Sequence, residues 1–426
     1  MRYDSVIVGN SAAGVGAVEA LARMASNASI CLVAEENNPP YSRPFIGHLV
    51  SGEMTLDELW YRPRSFYEEN NVEFLGGRKA VAIRISGKEI ELDDGSRIGF
   101  RSLLLATGGS PIVPAIPGLV EFSHTFATLA DALDIKARLD RSEISSAVVL
   151  GGGLIGVAAS SALIRRNVDV TIVELAPRIL SSVLDERASA IVRKDLDERQ
   201  VRVVTGHTIA RVEGSRGRPR ATLDNGEMID SDLLILAIGV RPRVELAREA
   251  GMRVDRGVVV DDGMRTNVPG IFAAGDCAQV QDFVYQGSRV LGIWPVAYVG
   301  GMIAGCNMAG HEASSRWFTS MNSISIFGRS VLCAGIVNPV DGDGWSELKS
   351  EADGTYRKIV TKDGVIKGFV LVGAADKAGL YLQMMRNRTP VKRLNRVLLS
   401  DSFGLAYLSR RERQRLWREA GKVVGP

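Results

Sequence analysis

The apolar positions of this chain fall into short continuous runs separated by glycine turns, and the same order of runs occurs twice. Residues 3–8 form an apolar, β-branched run of the kind a strand buried on both faces needs. Gly9-Asn10-Ser11-Ala12-Ala13-Gly14 follows, then a helical stretch over 15–24, then a second apolar run over 30–34 that ends on Glu35. Farther on, an apolar run over 147–150 leads into Gly151-Gly152-Gly153-Leu154-Ile155-Gly156, a helix over 157–166, and a strand over 170–173 that ends on Glu174. Behind the first copy, period-two positions (Val81, Ile83, Ile85, Ile90, Leu92) surround an Asp93-Asp94-Gly95 hairpin turn; behind the second, residues 209–212 precede Asp224-Asn225-Gly226. Each copy closes on a buried run ending in glycine, at 103–109 and at 233–239. Residues 49–75 read as largely helical, broken by Gly52 and Pro63. From about residue 315 strands alternate around an Asp363-Gly364 turn, before a helix over 375–387.

Strand, glycine turn, helix, strand, acid is the order that holds a dinucleotide. Gly9 permits the tight turn, and the following helix offers free N–H groups and the positive end of its dipole to a pyrophosphate. Gly14 lets helix and strand pack closely, and Glu35 accepts from ribose hydroxyls. Ser11 occupies the place of the middle glycine, which adds a hydroxyl donor at the cost of some room. The second copy is a full G-x-G-x-x-G, so the chain is expected to hold two dinucleotides. A third signal is residues 266–276, a short apolar strand ending in Gly275-Asp276, where a carboxylate can approach a polyol chain.

Composition narrows this further. At 426 residues two or three domains are expected, and 45 glycines suit several close backbone approaches. A net charge of +3 does not by itself imply nucleic acid, and no apolar run reaches the length of a membrane span. Residues 1–30 read as the start of the nucleotide fold, not as a signal peptide. Cys31, Cys277, Cys306 and Cys333 are far apart, without metal-ligand spacing, which predicts a reducing, cytoplasmic setting and no metal site.

The paired glycine motifs, the Ala106-Thr107-Gly108-Gly109 turn and the Gly275-Asp276 segment resemble the pyridine nucleotide-disulfide oxidoreductase superfamily over residues 1 to about 310. Ile293-Trp294-Pro295, Met321-Asn322-Ser323 and residues 334–339 and 367–373 further resemble its NADH oxidase, rubredoxin reductase and nitrite reductase-like members. The resemblance implies an α/β fold with two Rossmann-like domains of the glutathione-reductase type, and a C-terminal α+β domain that forms an interface. Residues 1–113 and 245–314 would bind FAD, 114–244 NAD, and 315–426 would form the interface domain, as a homodimer or as a subunit of a hetero-oligomer. The expected cofactor-binding residues are Gly9, Ser11, Ala12, Ala13, Gly14, Glu35, Arg43, Pro44, Ala80, Val81, Ala106, Thr107, Gly108, Gly275, Asp276 and Trp294, with Gly151, Gly153, Leu154, Ile155, Gly156, Glu174, Ile238 and Gly239.

Four stretches decide the chemistry. Glu174 accepts from a ribose 2′-hydroxyl and repels a 2′-phosphate, which favours NADH, although Arg178 lies four residues on. Thiol chemistry at a flavin needs a thiolate, which in the superfamily this chain resembles comes from a cysteine soon after the first acid; residues 35–52 contain none, which disfavours peroxidase, coenzyme A-disulfide reductase and water-forming oxidase activity. Tyr41-Ser42-Arg43-Pro44 resembles the Tyr-x-Arg-Pro segment of ferredoxin and rubredoxin reductases; His48 falls at their flavin-side lysine and Ala158 at its glutamate partner. His48 is thus either a donor to the flavin or a partly buried helix cap. Trp294-Pro295 is expected to open a helix, and the resemblance implies that its positive end faces the flavin; His48, Trp294 and Pro295 are the candidate catalytic residues. A basic run over 409–418 is either a solvated face or a dock for an acidic carrier. The expected function is hydride transfer between NAD(H) and FAD and single-electron exchange with a ferredoxin- or rubredoxin-like carrier or an iron–sulfur subunit of a larger dehydrogenase. The alternatives are a flavin-only NADH oxidase that makes hydrogen peroxide, and a redox sensor without turnover.

Overall fold

The computed structural model describes residues 1–420 apart from 26, 216, 217, 341 and 353, and for 416–420 it describes the backbone alone. The side chains of Leu416, Trp417 and Arg418, in the expected basic run, therefore lie outside the described residues.

The continuous apolar run at the N-terminus forms the strand Arg2–Val8, flanked on both sides by parallel neighbours, Ile30–Ala34 and Arg97–Leu105. Val6 and Ile7 have no exposed surface, which is why this run shows no alternation of polar and apolar residues. The sheet runs Val72–Gly76, Ile30–Ala34, Arg2–Val8, Arg97–Leu105, Glu89–Leu92, Ala80–Arg84, and Ile271–Ala273 adds parallel to Arg97–Leu105. The chain thus leaves this sheet after Leu105 and returns to it at Ile271. The segment 49–75 is not the broken helix expected. It forms the short helices Ile46–Ser51, Leu56–Leu59 and Phe66–Glu69, and Val72–Gly76 is a strand parallel to Ile30–Ala34. Ladder pairing with a fully buried neighbour outweighs local periodicity there.

The second copy builds an all-parallel sheet in the order Arg202–Thr205, Asp169–Glu174, Ser146–Leu150, Leu233–Leu236, Ser123–Thr125. The C-terminal sheet is antiparallel, in the order Met321–Ile326, Arg329–Gly335, Val365–Val372, Thr355–Lys362, Trp345–Ala352. The hairpin turn predicted at Asp363-Gly364 is present, with both residues at positive φ (54° and 75°). Val149, Ile172 and Ile235 of the second sheet share one core with Ile326, Val331, Tyr356 and Val370 of the third. Arg329, paired to both oxygens of Asp195, and Lys358, 3.3 Å from Asp185, close that boundary with charge.

Two helices meet on the first sheet at a spacing only small residues allow. A Cβ at Gly301, in the helix Trp294–Met308, would lie 2.0 Å from the carbonyl oxygen of Ala13, in the helix Ala12–Met24. A Cβ at Gly305 would lie 2.7 Å from the Ala17 oxygen, and one at Gly16 2.4 Å from the Tyr298 oxygen. The pairs Ala13–Gly301 and Ala17–Gly305 advance together, so the two helices run in the same direction. Gly301 is the eighth residue of its helix and Ala13 the second of its own. The later helix therefore begins six residues, about 9 Å, ahead of the earlier one.

Gly301→Ala should lower the stability of the protein by about 1–3 kcal/mol, because the helices must separate. Gly379→Ala, in a helix where a Cβ would meet nothing within 4 Å, should be neutral or stabilise by about 0.4–1 kcal/mol. Chemical denaturation of both variants checks this pair; equal effects would refute the close contact as the cause.

Candidate functional site

The two glycine turns are the same structure built twice. Gly9 N–H donates to the Val33 oxygen and Gly151 N–H to the Val173 oxygen, both at 2.8 Å. Ala106 N–H donates to the Val8 oxygen and Ala237 N–H to the Leu150 oxygen, again at 2.8 Å. Gly9 and Gly151 have φ of 120° and 113°, and a Cβ at Gly14 or Gly156 would lie 2.1 or 1.8 Å from the oxygen of Gly9 or Gly151. Both positions tolerate no side chain. Ser11 caps the first helix without a side-chain hydrogen bond, and Gly153 caps the second beside open space, so Ala12 and Ala13, and Leu154 and Ile155, present the free N–H groups of two helix starts. Asn10, which the sequence did not single out, fastens the first turn: its amide donates to the Asn38 oxygen at 2.9 Å and its oxygen accepts from the Tyr67 hydroxyl.

The acids after the second strands are not in register. Hydrogen bonding aligns Val33 with Val173, so Glu174 corresponds to Ala34, and the first copy places its acids one and two residues later. Glu174 accepts from Gly152 N–H at 2.5 Å and Ala176 N–H at 2.7 Å, which sets it across the mouth of its turn. Arg178 has its guanidinium 3.5 Å from the Leu184 oxygen, with its Nε buried without a hydrogen-bond partner. Glu35 is ion-paired on the surface with Lys79 at 3.6 Å and Arg243 at 3.2 Å. Glu36 accepts from the Tyr41 hydroxyl at 3.3 Å with one oxygen, and its other oxygen is buried with no partner. Tyr41 in turn accepts from Leu129 N–H at 3.1 Å.

Gly275, at φ 80°, is wedged against Ala13 and Ala297, and its strand delivers Asp276 to the mouth between the two parallel helices. The Asp276 carboxylate has no hydrogen-bond or ion-pair partner among the described residues. Burial raises its pKa, and the charge of Arg43 draws it partly back. Arg43, in a short turn with Pro44, donates to the Ala127 oxygen at 2.5 Å. Pro295 stands in the first turn of the helix that begins at Trp294, and Trp294 meets Tyr61 edge to face at 5.1 Å. Ala80 is buried and Val81 exposed at the start of one strand. Thr107 donates to the Arg243 oxygen at 2.8 Å, and Gly108 accepts from Arg243 N–H at 2.9 Å. Ile238 and Gly239 lead into a strand that pairs with Gly109–Pro111, so the two crossings between lobes are bonded to each other.

His48 is not brought to Ala158. Its ring bonds Glu53 at 3.0 Å and is 45% exposed, and Arg165 closes the cluster at 2.9 Å from Glu53. Gly47 faces the Ala158 oxygen instead, with 3.7 Å to a Cβ built there. The imidazole thus stands half-exposed in a surface cluster with Glu53 and Arg165, and not in the partly buried capping position.

Residues 3–301 match the family model described as pyridine nucleotide-disulphide oxidoreductase. The chain belongs to this family. It is 31% identical over 90% of its length to the NADH-dependent phenylglyoxylate dehydrogenase subunit epsilon of Aromatoleum evansii, covering 91% of that protein. It is 34% identical over 66% of its length to a rubredoxin-NAD(+) reductase of Pseudomonas putida, covering 73% of it. In structure it is similar to putidaredoxin reductase in its covalent complex with putidaredoxin, with a TM-score of 0.83 at 25% identity and coverage of 91% and 93%. Members of this pyridine nucleotide-disulphide oxidoreductase family are α/β oxidoreductases that bind FAD and NAD(H). The present residues fit both groups: two helix starts with free N–H groups suit two pyrophosphates, and the free, buried oxygen of Glu36 and the buried Asp276 carboxylate suit hydroxyl donors.

All four cysteines of this family member are buried. Cys277 donates to the Leu105 and Ala274 oxygens, each at 3.3 Å, and burial pushes the thiols of Cys31 and Cys333 up to about 12 and about 11. Among the described residues no His, Cys, Asp and Glu cluster could hold a metal, and no helix is long and apolar enough to cross a membrane. Native protein incubated with iodoacetamide at pH 8 should keep its NADH-dependent activity and remain unlabelled, because thiolate is scarce at every site. Mass spectrometry reads the labelling, and rapid loss of activity on labelling would show a reactive thiol that these positions do not offer.

Proposed function

We propose that this chain moves hydride between NAD(H) and FAD, and exchanges single electrons with an iron–sulfur protein. Bound FAD supplies the chemistry, since it takes two electrons together and can release them singly. The protein's part is to hold and orient. The helix that begins at Ala12 offers its N-terminus to the FAD pyrophosphate, and Asp276 accepts from the polyol chain. Arg43 lies near enough to act electrostatically on Asp276 and can neutralise phosphate charge. The helix that begins at Trp294 directs its dipole toward the flavin ring, where it favours the anionic reduced state. Glu36, with its buried free oxygen, is the better candidate for the FAD ribose than the exposed and ion-paired Glu35. The helix that begins at Leu154, with Glu174 across its mouth, holds NADH, because that carboxylate accepts from a ribose 2′-hydroxyl and repels a 2′-phosphate.

The observation that carries this reading is a flavin crevice with no thiol: every cysteine is internal, so no disulfide relay stands between flavin and acceptor. Similarity across nearly the whole length to a subunit named for NADH-dependent phenylglyoxylate dehydrogenase supports a place as the NAD-linked subunit of a larger dehydrogenase. Similarity to a protein named rubredoxin-NAD(+) reductase supports an iron–sulfur acceptor.

Anaerobic stopped-flow should show flavin bleaching faster with NADH than with NADPH, and steady-state assays should show faster turnover with rubredoxin or ferredoxin than with oxygen. Oxygen consumption that matches NADH oxidation, with no gain from a carrier, would instead establish a peroxide-forming oxidase. Asp276→Ala should purify with little FAD. Glu36→Gln should weaken FAD binding about tenfold, the loss of one charged hydrogen bond, and Glu35→Gln should change it little. Dialysis followed by flavin fluorescence measures both, and a reversed order would return the ribose to Glu35.

A further inference from the structure

A cavity of about 470 Å³ shares no lining residue with either glycine crevice. It opens where the hairpin after Asp282, the segment at Arg316-Trp317, the end of the helix Ala378–Arg386 and the last helix, Arg410–Ala420, converge. Four arginines line it against two aspartates; each aspartate has an arginine within 4 Å, while Asp282 Oδ2 is buried without a hydrogen-bond partner. Asp262 pairs with Arg316 at 3.0 Å. Asp282 is fully buried, accepts from the N–H groups of Val284 at 2.8 Å and Tyr285 at 3.2 Å, and has Arg289 at 3.8 Å.

The other three arginines have no counter-charge among the described residues. Arg386 is half-buried, its Nε is buried without a hydrogen-bond partner, and burial depresses its pKa with nothing opposing. A guanidinium held in that way is costly unless something else completes its hydrogen bonds. Arg388 stands just beyond the helix in the left-handed region (φ 49°), a position where glycine or asparagine is usual. Arg415 reaches the same cavity from the last helix.

We propose that this cavity binds a small-molecule phosphate or phosphate ester, held by Arg386, Arg388 and Arg415. A planar carboxylate is satisfied by one guanidinium fork, whereas forks arriving from separate segments match the several faces of a tetrahedral oxyanion. Because Arg415 belongs to the last helix and Arg386 to another, occupancy ties the C-terminal helix to the body of the protein.

Isothermal calorimetry with sodium pyrophosphate as the probe tests this, using FAD-loaded protein at constant ionic strength with saturating NAD+, so that both nucleotide crevices are filled. One saturable site per chain is expected, weakened about tenfold or more by Arg388→Gln and by Arg386→Gln, since each removes charge-assisted hydrogen bonds, and little changed by Arg316→Gln. Ligand should also slow proteolytic cleavage after residue 408. Arg388 is exposed, so its variant keeps the test valid if Arg386→Gln does not fold. Heat that never saturates, or equal binding in wild type and both variants, would overturn the site. Citrate binding as tightly as pyrophosphate would overturn the preference for phosphate, and a phosphoserine peptide binding more tightly would overturn the small-molecule assignment.

Discussion

The structure depends on how closely two helices approach. The helix Ala12–Met24 and the helix Trp294–Met308 press backbone against backbone through Ala13, Gly16, Ala17, Gly301 and Gly305. Their sequences lie almost three hundred residues apart, and everything between, including the whole second sheet, is an excursion that must end with this contact restored. The seam also places Gly275 between the two helices, so the depth of Asp276 is set by the same contact. A side chain at any of these glycines would move Asp276 and both helix starts at once.

The boundary between the second and third sheets is of another kind. A shared apolar core is rimmed by buried charge, with Lys358 satisfied by Asp185 and Glu347 and with the Tyr356 hydroxyl donating to Asp185 at 2.6 Å. Removing one member of such a group leaves another charge buried and unpaired, which costs far more than the pair contributes. These two lobes are therefore expected to move as one piece, and the two bonded crossings at Gly109–Pro111 and Val240–Pro242 are where the first sheet meets that piece.

Much of this was legible in the sequence because it rests on backbone sterics. Gly9, Gly14, Gly151 and Gly156 announce turns that admit no side chain, and the two runs of buried residues before them could be only central strands. What the sequence did not show depends on rotation and register. Residues 35 and 36 are both glutamates, and which one faces inward is decided by where the strand ends; the hydrogen bonds at Val33 and Val173 show that the two copies differ by this offset. The same holds for Gly47 and His48, where one step around a short helix turns the imidazole out to Glu53. The strand Val72–Gly76 was hidden because its partner, not its own pattern, makes it extended. Asn10 gave no signal beyond its place inside the turn, since its partners come from distant loops.

The stagger between the two helices has a metrical consequence. On the proposed FAD assignment, the helix start at Ala12 would address a phosphate and the start at Trp294, about 9 Å farther along, a ring. A cofactor satisfies both only if that length of chain separates its phosphate from its ring system, and a second phosphate with its nucleoside must extend the other way toward Glu36. The seam is thus a ruler. With FAD bound as proposed, it would measure the ligand along its axis and favour the dinucleotide form of the flavin over the mononucleotide, which would leave the Glu36 end of the crevice empty.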